Sequence, residues 1–338
     1  MLALRLPGHG TIPGALTQVQ WQEWQQATRF GVQIVQQEMT KHQVSRFMIG
    51  GLSMGGALAL NYTLEALATD RQPLPDKVLL FAPGFGIDST AALARYTRLL
   101  SWIPYFAQFA WNSIELEYHP FRYYSDPMNG IDQIYALIQA NNQLSAQLAR
   151  QPERMARMPP IIAFQSMVDA TVSTEALIDW FARYGTPAST LVLFDINRAL
   201  APFLRQAVID PHPTDVLTRP GFRSRLIAIT NQPSLTGDIH TELVKATLYL
   251  PDGAGTFTPQ ELVTPPELRW PANVTALAHP VMVIAPEDPY YGADALLPVL
   301  NLYGESGVSA INDFTALRLH YNPFFALLTE RVVALLNE

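Results

Sequence analysis

The five residues Gly51-Leu52-Ser53-Met54-Gly55 constrain this chain more than any other stretch. They fit the pattern G-x-S-x-G. That spacing asks for a strand that turns sharply into a helix, with the serine at the turn in strained backbone angles and its hydroxyl projecting above a sheet. Flanking glycines give the turn room. The backbone N–H of Met54, at the start of the helix, then faces the place where negative charge would develop on an oxygen. Five residues recur by chance, so the context matters. A β-rich RFMIG precedes the motif, the small-residue run GALALNY follows it, and Gly50 and Gly56 add freedom on both sides. The competing reading is a glycine-rich turn that packs a helix and does no chemistry.

The rest of the chain supplies the alternation that such a turn needs. Residues 2–6 (LALRL) read as a short buried strand, followed by the Gly/Pro loop LPGHGTIPG. Residues 16–39 carry Val19, Trp21, Trp24, Val32 and Val35 at helical spacing. Buried strands are expected at 46–50, 77–83, 160–165 and 190–196, with a helix at 174–184 and a closing helix at 323–337. Strands alternating with helices predict a mostly parallel sheet with helices on both faces. Residues 88–156 are aromatic-rich and read as a helical cap. Residues 198–275 read as a second insertion, with strand-like pieces at 224–230 and 246–250. The expected organisation is therefore a core at 1–87, a cap at 88–156 and a second part of the core at 157–338.

Composition removes several function classes. The formal net charge is −7 and no Lys/Arg run is longer than two residues, which argues against nucleic-acid binding. With no cysteine, disulfides, thiolate metal sites and a cysteine nucleophile are all ruled out. No H-x-x-x-H pair or cluster of His and carboxylates suggests a metal, and no cofactor is expected. No run of about 18 apolar residues suggests a membrane span. As given, the chain is expected to stay in the cytoplasm; a start upstream of Met1 would leave room for an export signal.

LPGHGTIPG, the Trp-rich helix, GLSMGG and SMVDATVS together resemble the bacterial carboxylesterase and monoacylglycerol-lipase branch of the α/β-hydrolase superfamily. The resemblance covers residues 1–200 best and resumes at LRWPANVTALAHPVMVIAPEDPYYG and LRLHYNPFFALLTERV. It implies an α/β-hydrolase fold and a triad in the chain order Ser, Asp, His. Ser53 is then the nucleophile and Met54 N–H an oxyanion donor. Asp169 follows the strand PIIAFQ, and Asp169-Ala170-Thr171-Val172 matches the D-x-x-V often found at this turn in the family. A cap or turn role for Asp169 competes, and the nearby Ser173 and Thr174 could cap the helix instead. Asp288 is the alternative acid. Among seven histidines, His9 belongs to the PGHG landmark and is expected to stabilise that loop. His42, His119, His212 and His240 lie in polar, cap or Pro-rich stretches. His279 closes the strand-like NVTALA after small Ala278, and His320 stands just before the last helix; either suits the base, and the resemblance favours His279.

One departure from the family stands out. Its members carry strands ahead of the one expected at residues 2–6, and a loop there donates a second oxyanion N–H. The fold is therefore expected to be N-terminally shortened. Losing one such donor costs a factor of about 100 to 1,000 in turnover. The expected activity is cleavage of a small or lipid-like carboxylic ester through an acyl-enzyme. The alternative is a non-catalytic scaffold without a complete oxyanion hole.

Overall fold

The computed structural model describes residues 1–70, 73–86, 109–117, 123–231, 241–265, 268–271, 274–277, 304–310, 322 and 324–337. They divide into two compact units, one of residues 1–79 and 84–159, the other of 80–83 and 160–338.

In the first unit, α1 (Trp21–His42) begins at Gln20, whose backbone N–H donates to Glu23 Oε2 at 2.9 Å, and stops at Gln43 in the left-handed region at φ 54°. Its buried face carries Trp24, Thr28, Gly31 and Val32. Strand β1 (Met48–Leu52) turns directly into α2 (Met54–Thr69). From Gly56 to Leu64 every residue of α2 is buried, the pattern of a helix covered all round. A short pair, β3 (Trp111–Ser113) and β4 (Asp126–Pro127), precedes α3 (Met128–Ala149), which packs on α2.

A buried amide chain crosses the three helices. Gln25 Nε2 donates to Asn61 Oδ1 at 2.9 Å and Asn61 Nδ2 to Asn141 Oδ1 at 2.9 Å. Asn141 Nδ2 donates to the Ala57 carbonyl at 2.8 Å. Gln25 also donates to Glu65, which pairs with Arg29. Each polar group buried here has a partner, so it escapes the penalty of an unmade bond.

Strand β2 (Lys77–Phe81) follows; β1 is its neighbour. Beyond β1 lies an apolar cavity of about 390 Å³, lined by Leu2, Leu4, Val32, Phe47, Ile49 and Leu58 among others. Residues 2–6, expected as a buried strand, form no strand and are largely exposed. The reason is pairing: among the described residues no strand accepts their backbone groups, and Leu4 instead lies on α1, where a Cβ on Gly31 would meet it at 2.7 Å.

The second unit is built on the strand order β2-β5-β6-β7-β8-β10, with β9 also on β8. Strands β5 (Ile161–Ser166) and β6 (Thr190–Phe194) are buried at every residue, as expected of strands covered on both faces. β5, β6 and β7 (Arg225–Asn231) run parallel. β8 (Thr241–Pro251) turns antiparallel, and β9 (Phe257–Leu262) and β10 (Arg269–Pro271) pair with it in the same sense. Residues 198–275, expected as a second insertion, thus supply four strands of this sheet. Helix α4 (Thr174–Tyr184) connects β5 to β6, and α5 (Phe325–Asn337) closes the described chain. The parallel centre, the connecting helices and the strand-to-helix turn at Ser53 make this an α/β-hydrolase fold. Among the described residues, no helix is long and apolar enough to cross a membrane.

Candidate active site

Ser53, the nucleophile expected from the sequence, lies in the first unit. Ser53 stands between β1 and α2 at φ 51° and ψ −114°, a conformation that non-glycine residues adopt only when their surroundings enforce it. Close backbone approach supplies the enforcement. A Cβ on Gly51 would overlap the Gly55 carbonyl group, and one on Gly50 would meet the Leu79 carbonyl oxygen at 2.8 Å. The Ser53 carbonyl is pinned from two directions, accepting from Ala57 N–H at 3.1 Å and from Gly84 N–H at 3.2 Å. The Ser53 hydroxyl makes no cap bond to α2, so the side chain is not consumed in starting the helix. Met54 is the first residue of α2, where backbone N–H groups have no partner inside the helix. Gly55 differs from what the motif suggests: nothing lies within 4 Å of a Cβ built there. The turn needs a glycine before the serine; at Gly55 the space is open.

Asp169, the acid expected from the sequence, lies in the second unit. Asp169 follows β5, and its Oδ1 accepts the N–H of Thr171 at 2.8 Å and of Val172 at 3.0 Å. This turn fixes the carboxylate by its own backbone. Asp169 does not cap the next helix. Ser173 does, its Oγ accepting from Ala176 N–H at 3.1 Å. The preceding residue, Val168, packs on an apolar cluster of Ile196, Leu204, Ala276 and Val308. One more carboxylate reaches the turn: Ala170 N–H donates to Glu305 Oε2 at 3.3 Å. The sequence offered no periodicity or motif around Glu305; its flanking Gly304 and Gly307, both at positive φ, were the one visible signal.

Three histidines are described, and each is engaged in local structure. His9 Nδ1 is 3.2 Å from the Pro7 carbonyl, and its ring meets Trp24 edge-on at 5.9 Å, as expected for a loop-stabilising residue. Trp24 Nε1 donates to the same carbonyl at 2.9 Å. His42 lies beside Glu38 on exposed α1, and His212 starts a short helical turn through Thr214. His119, His240, His279, His320 and Asp288 lie outside the described residues. The approach to His279 is described: Ala276 bridges Ile196 just beyond the end of β6, and Asn197 N–H donates to the Thr275 carbonyl at 2.7 Å. Among the described residues, no group of three or more His, Cys, Asp or Glu could hold a metal ion.

No protein-family model matches this chain, and no curated protein matches it. Solved structures do. A metagenome-derived lipolytic enzyme is 16% identical, with a TM-score of 0.39 over 57% of this chain and 70% of its own. A soluble variant of monoglyceride lipase from Saccharomyces cerevisiae is 15% identical, with a TM-score of 0.39 over 56% of this chain and 66% of its own. Est1E from Butyrivibrio proteoclasticus, solved with ferulic acid, is 14% identical, with a TM-score of 0.33 over 56% of this chain and 64% of its own. At these scores the likenesses add nothing to what the sheet and the elbow already show.

Proposed function

We propose that the chain is a serine hydrolase of carboxylic esters, with Ser53 as its nucleophile. One observation carries the reading: Ser53 is held at φ 51° and ψ −114° at the strand-to-helix turn, with a hydroxyl that caps nothing. Strain of this kind costs on the order of 1–3 kcal/mol and persists where the surroundings fix it, typically at reactive positions.

In this reading Ser53 Oγ attacks the acyl carbon as the base removes its proton. The oxyanion forms against Met54 N–H, at the helix terminus where such donors are unspent. The base then returns the proton to the leaving alkoxide, and water repeats the sequence on the acyl-enzyme. Asp169 orients the imidazole and stabilises its charged form. His279 is the base. It is favoured over His320 because the residues just ahead of it run beside the end of β6, and β6 is the neighbour of the strand that leads to Asp169. The resemblance of GLSMGG and SMVDATVS to the carboxylesterase and monoacylglycerol-lipase branch points to an apolar acyl ester, and no cofactor is required.

A fluorophosphonate probe tests the reading. Labelling of Ser53, located by peptide mass and lost in Ser53→Ala, supports it. A folded protein that resists the probe and hydrolyses no p-nitrophenyl ester would instead be a scaffold.

A further inference from the structure

Three consecutive backbone N–H groups follow Asp169, and two carboxylates accept them. Asp169 takes those of Thr171 and Val172; Glu305, which lies 135 residues from Ala170, takes that of Ala170. Glu305 is 1% exposed. Glutamate is almost never buried so completely without a local use, since removing a carboxylate from water is costly.

The chain around Glu305 is tightly held. A Cβ on Gly304, at φ 152°, would overlap Thr275 Oγ1 and meet Ala276 N at 3.0 Å. Gly304 therefore presses on the segment that leads to His279. Downstream, Arg205 N–H donates to the Val308 carbonyl at 3.1 Å and Ala310 N–H to the Phe203 carbonyl at 2.8 Å. Val308 belongs to the cluster on which Val168 packs. Glu305 thus stands on a fixed frame, touching the turn of the acid on one side and following a residue wedged against the base's approach on the other.

We propose that Glu305 is a positioning residue that holds the Asp169 turn. The inference rests on the reading of Ser53 and Asp169 given above.

The test uses the whole chain, with p-nitrophenyl acetate as substrate. Glu305→Ala removes acceptor and charge, and kcat should fall by about 10- to 100-fold with KM within about twofold, the scale seen when a supporting partner of a reactive group is lost. Glu305→Gln keeps the size and an acceptor oxygen, and should restore most of kcat. A purely structural role would lower the urea midpoint and leave the kcat of the folded protein unchanged, so wild-type kcat in Glu305→Ala overturns the inference, as does a kcat in Glu305→Gln no better than in Glu305→Ala. If Glu305→Ala does not fold, Glu305→Asp, whose shorter side chain falls away from the Ala170 N–H, decides: a fall in kcat of about 10-fold with KM unchanged supports the inference, and wild-type kcat overturns it. Failure of the underlying reading looks different: Ser53→Ala would keep its activity, whatever Glu305 does.

Discussion

The turn of Ser53 and the turn of Asp169 are built in opposite ways. At Ser53 nearly everything that fixes the geometry is close in sequence: the approach of Gly51 to Gly55, the first bond of α2, and one N–H from Gly84. At Asp169 the carboxylate makes its own turn, but the turn is held from afar, by Glu305 and by a cluster that draws on Ile196, Leu204, Ala276 and Val308. The Ser53 turn is set by strain in a short peptide. The Asp169 turn is set by contacts with residues distant in sequence. Damage should therefore be all-or-none at the first and graded at the second.

The sharpest break in that comparison comes from the residues themselves. Ser53→Ala should reduce ester hydrolysis by about five to six orders of magnitude while the circular dichroism stays unchanged, the scale of losing a triad nucleophile. Asp169→Asn should cost less, about 10⁴-fold in kcat, by favouring the wrong tautomer of the base. Normal turnover in Asp169→Asn, together with an inactive Asp288→Asn, would move the acid to Asp288.

A pair of glycine variants sharpens the steric half. Gly51→Ala forces a methyl into the Gly55 carbonyl group, and chemical denaturation should show a loss of about 3 kcal/mol or more. Gly55→Ala meets open space in a helix, and should be neutral or stabilising by up to about 1 kcal/mol. Equal damage from the two would mean the turn is not fixed by the single close approach described here.

The smallest effect concerns charge far from the site. The hydrogen bond from Arg157, helped by the nearby charge of Arg154, holds the Asp70 carboxyl below its usual value of 3.8. A depressed carboxylate contributes stability above its unfolded value and loses it as pH falls through the folded one. Asp70→Asn, which keeps a residue tolerant of the left-handed cap at φ 52°, should slightly lower stability at pH 7 and lower it less at pH 3, where the wild-type carboxylate is itself becoming protonated, so the stability curve flattens below about pH 4. Urea midpoints at both pH values check this; a larger shift at pH 3 than at pH 7 would contradict it.

The same contrast decides what was legible in the sequence. The elbow, α1 and α2 of the first unit and the buried strands at 161–166 and 190–194 follow from local pattern, since glycine spacing and apolar runs carry them. Residues 2–6 had the apolar content of a strand but no partner strand, and pairing is not a local property. The four strands between 225 and 271 read as an insertion because their place in the sheet comes from pairing, β7 on β6 and the others through β8, not from their own composition. Glu305 was invisible for the same reason: its significance lies in one N–H 135 residues away. Asp169 was legible as a residue after a strand, and its freedom from helix capping was not, because Ser173 competes for that role only in three dimensions.

The amide chain through Gln25, Asn61 and Asn141 bears on how this sequence can drift. Asn61→Leu alone leaves Asn141 Oδ1 without its donor, and Asn141→Leu alone strands the Asn61 amide, each at a cost of about 1–3 kcal/mol. Changing both together removes the pair at once, while Gln25 keeps Glu65. The path from amide to hydrocarbon at this crossing therefore runs through a valley that single steps enter and only paired steps leave. Positions 61 and 141, on separate helices, should vary as one site across descendants of this chain, a correlation that any collection of such descendants would reveal without an assay.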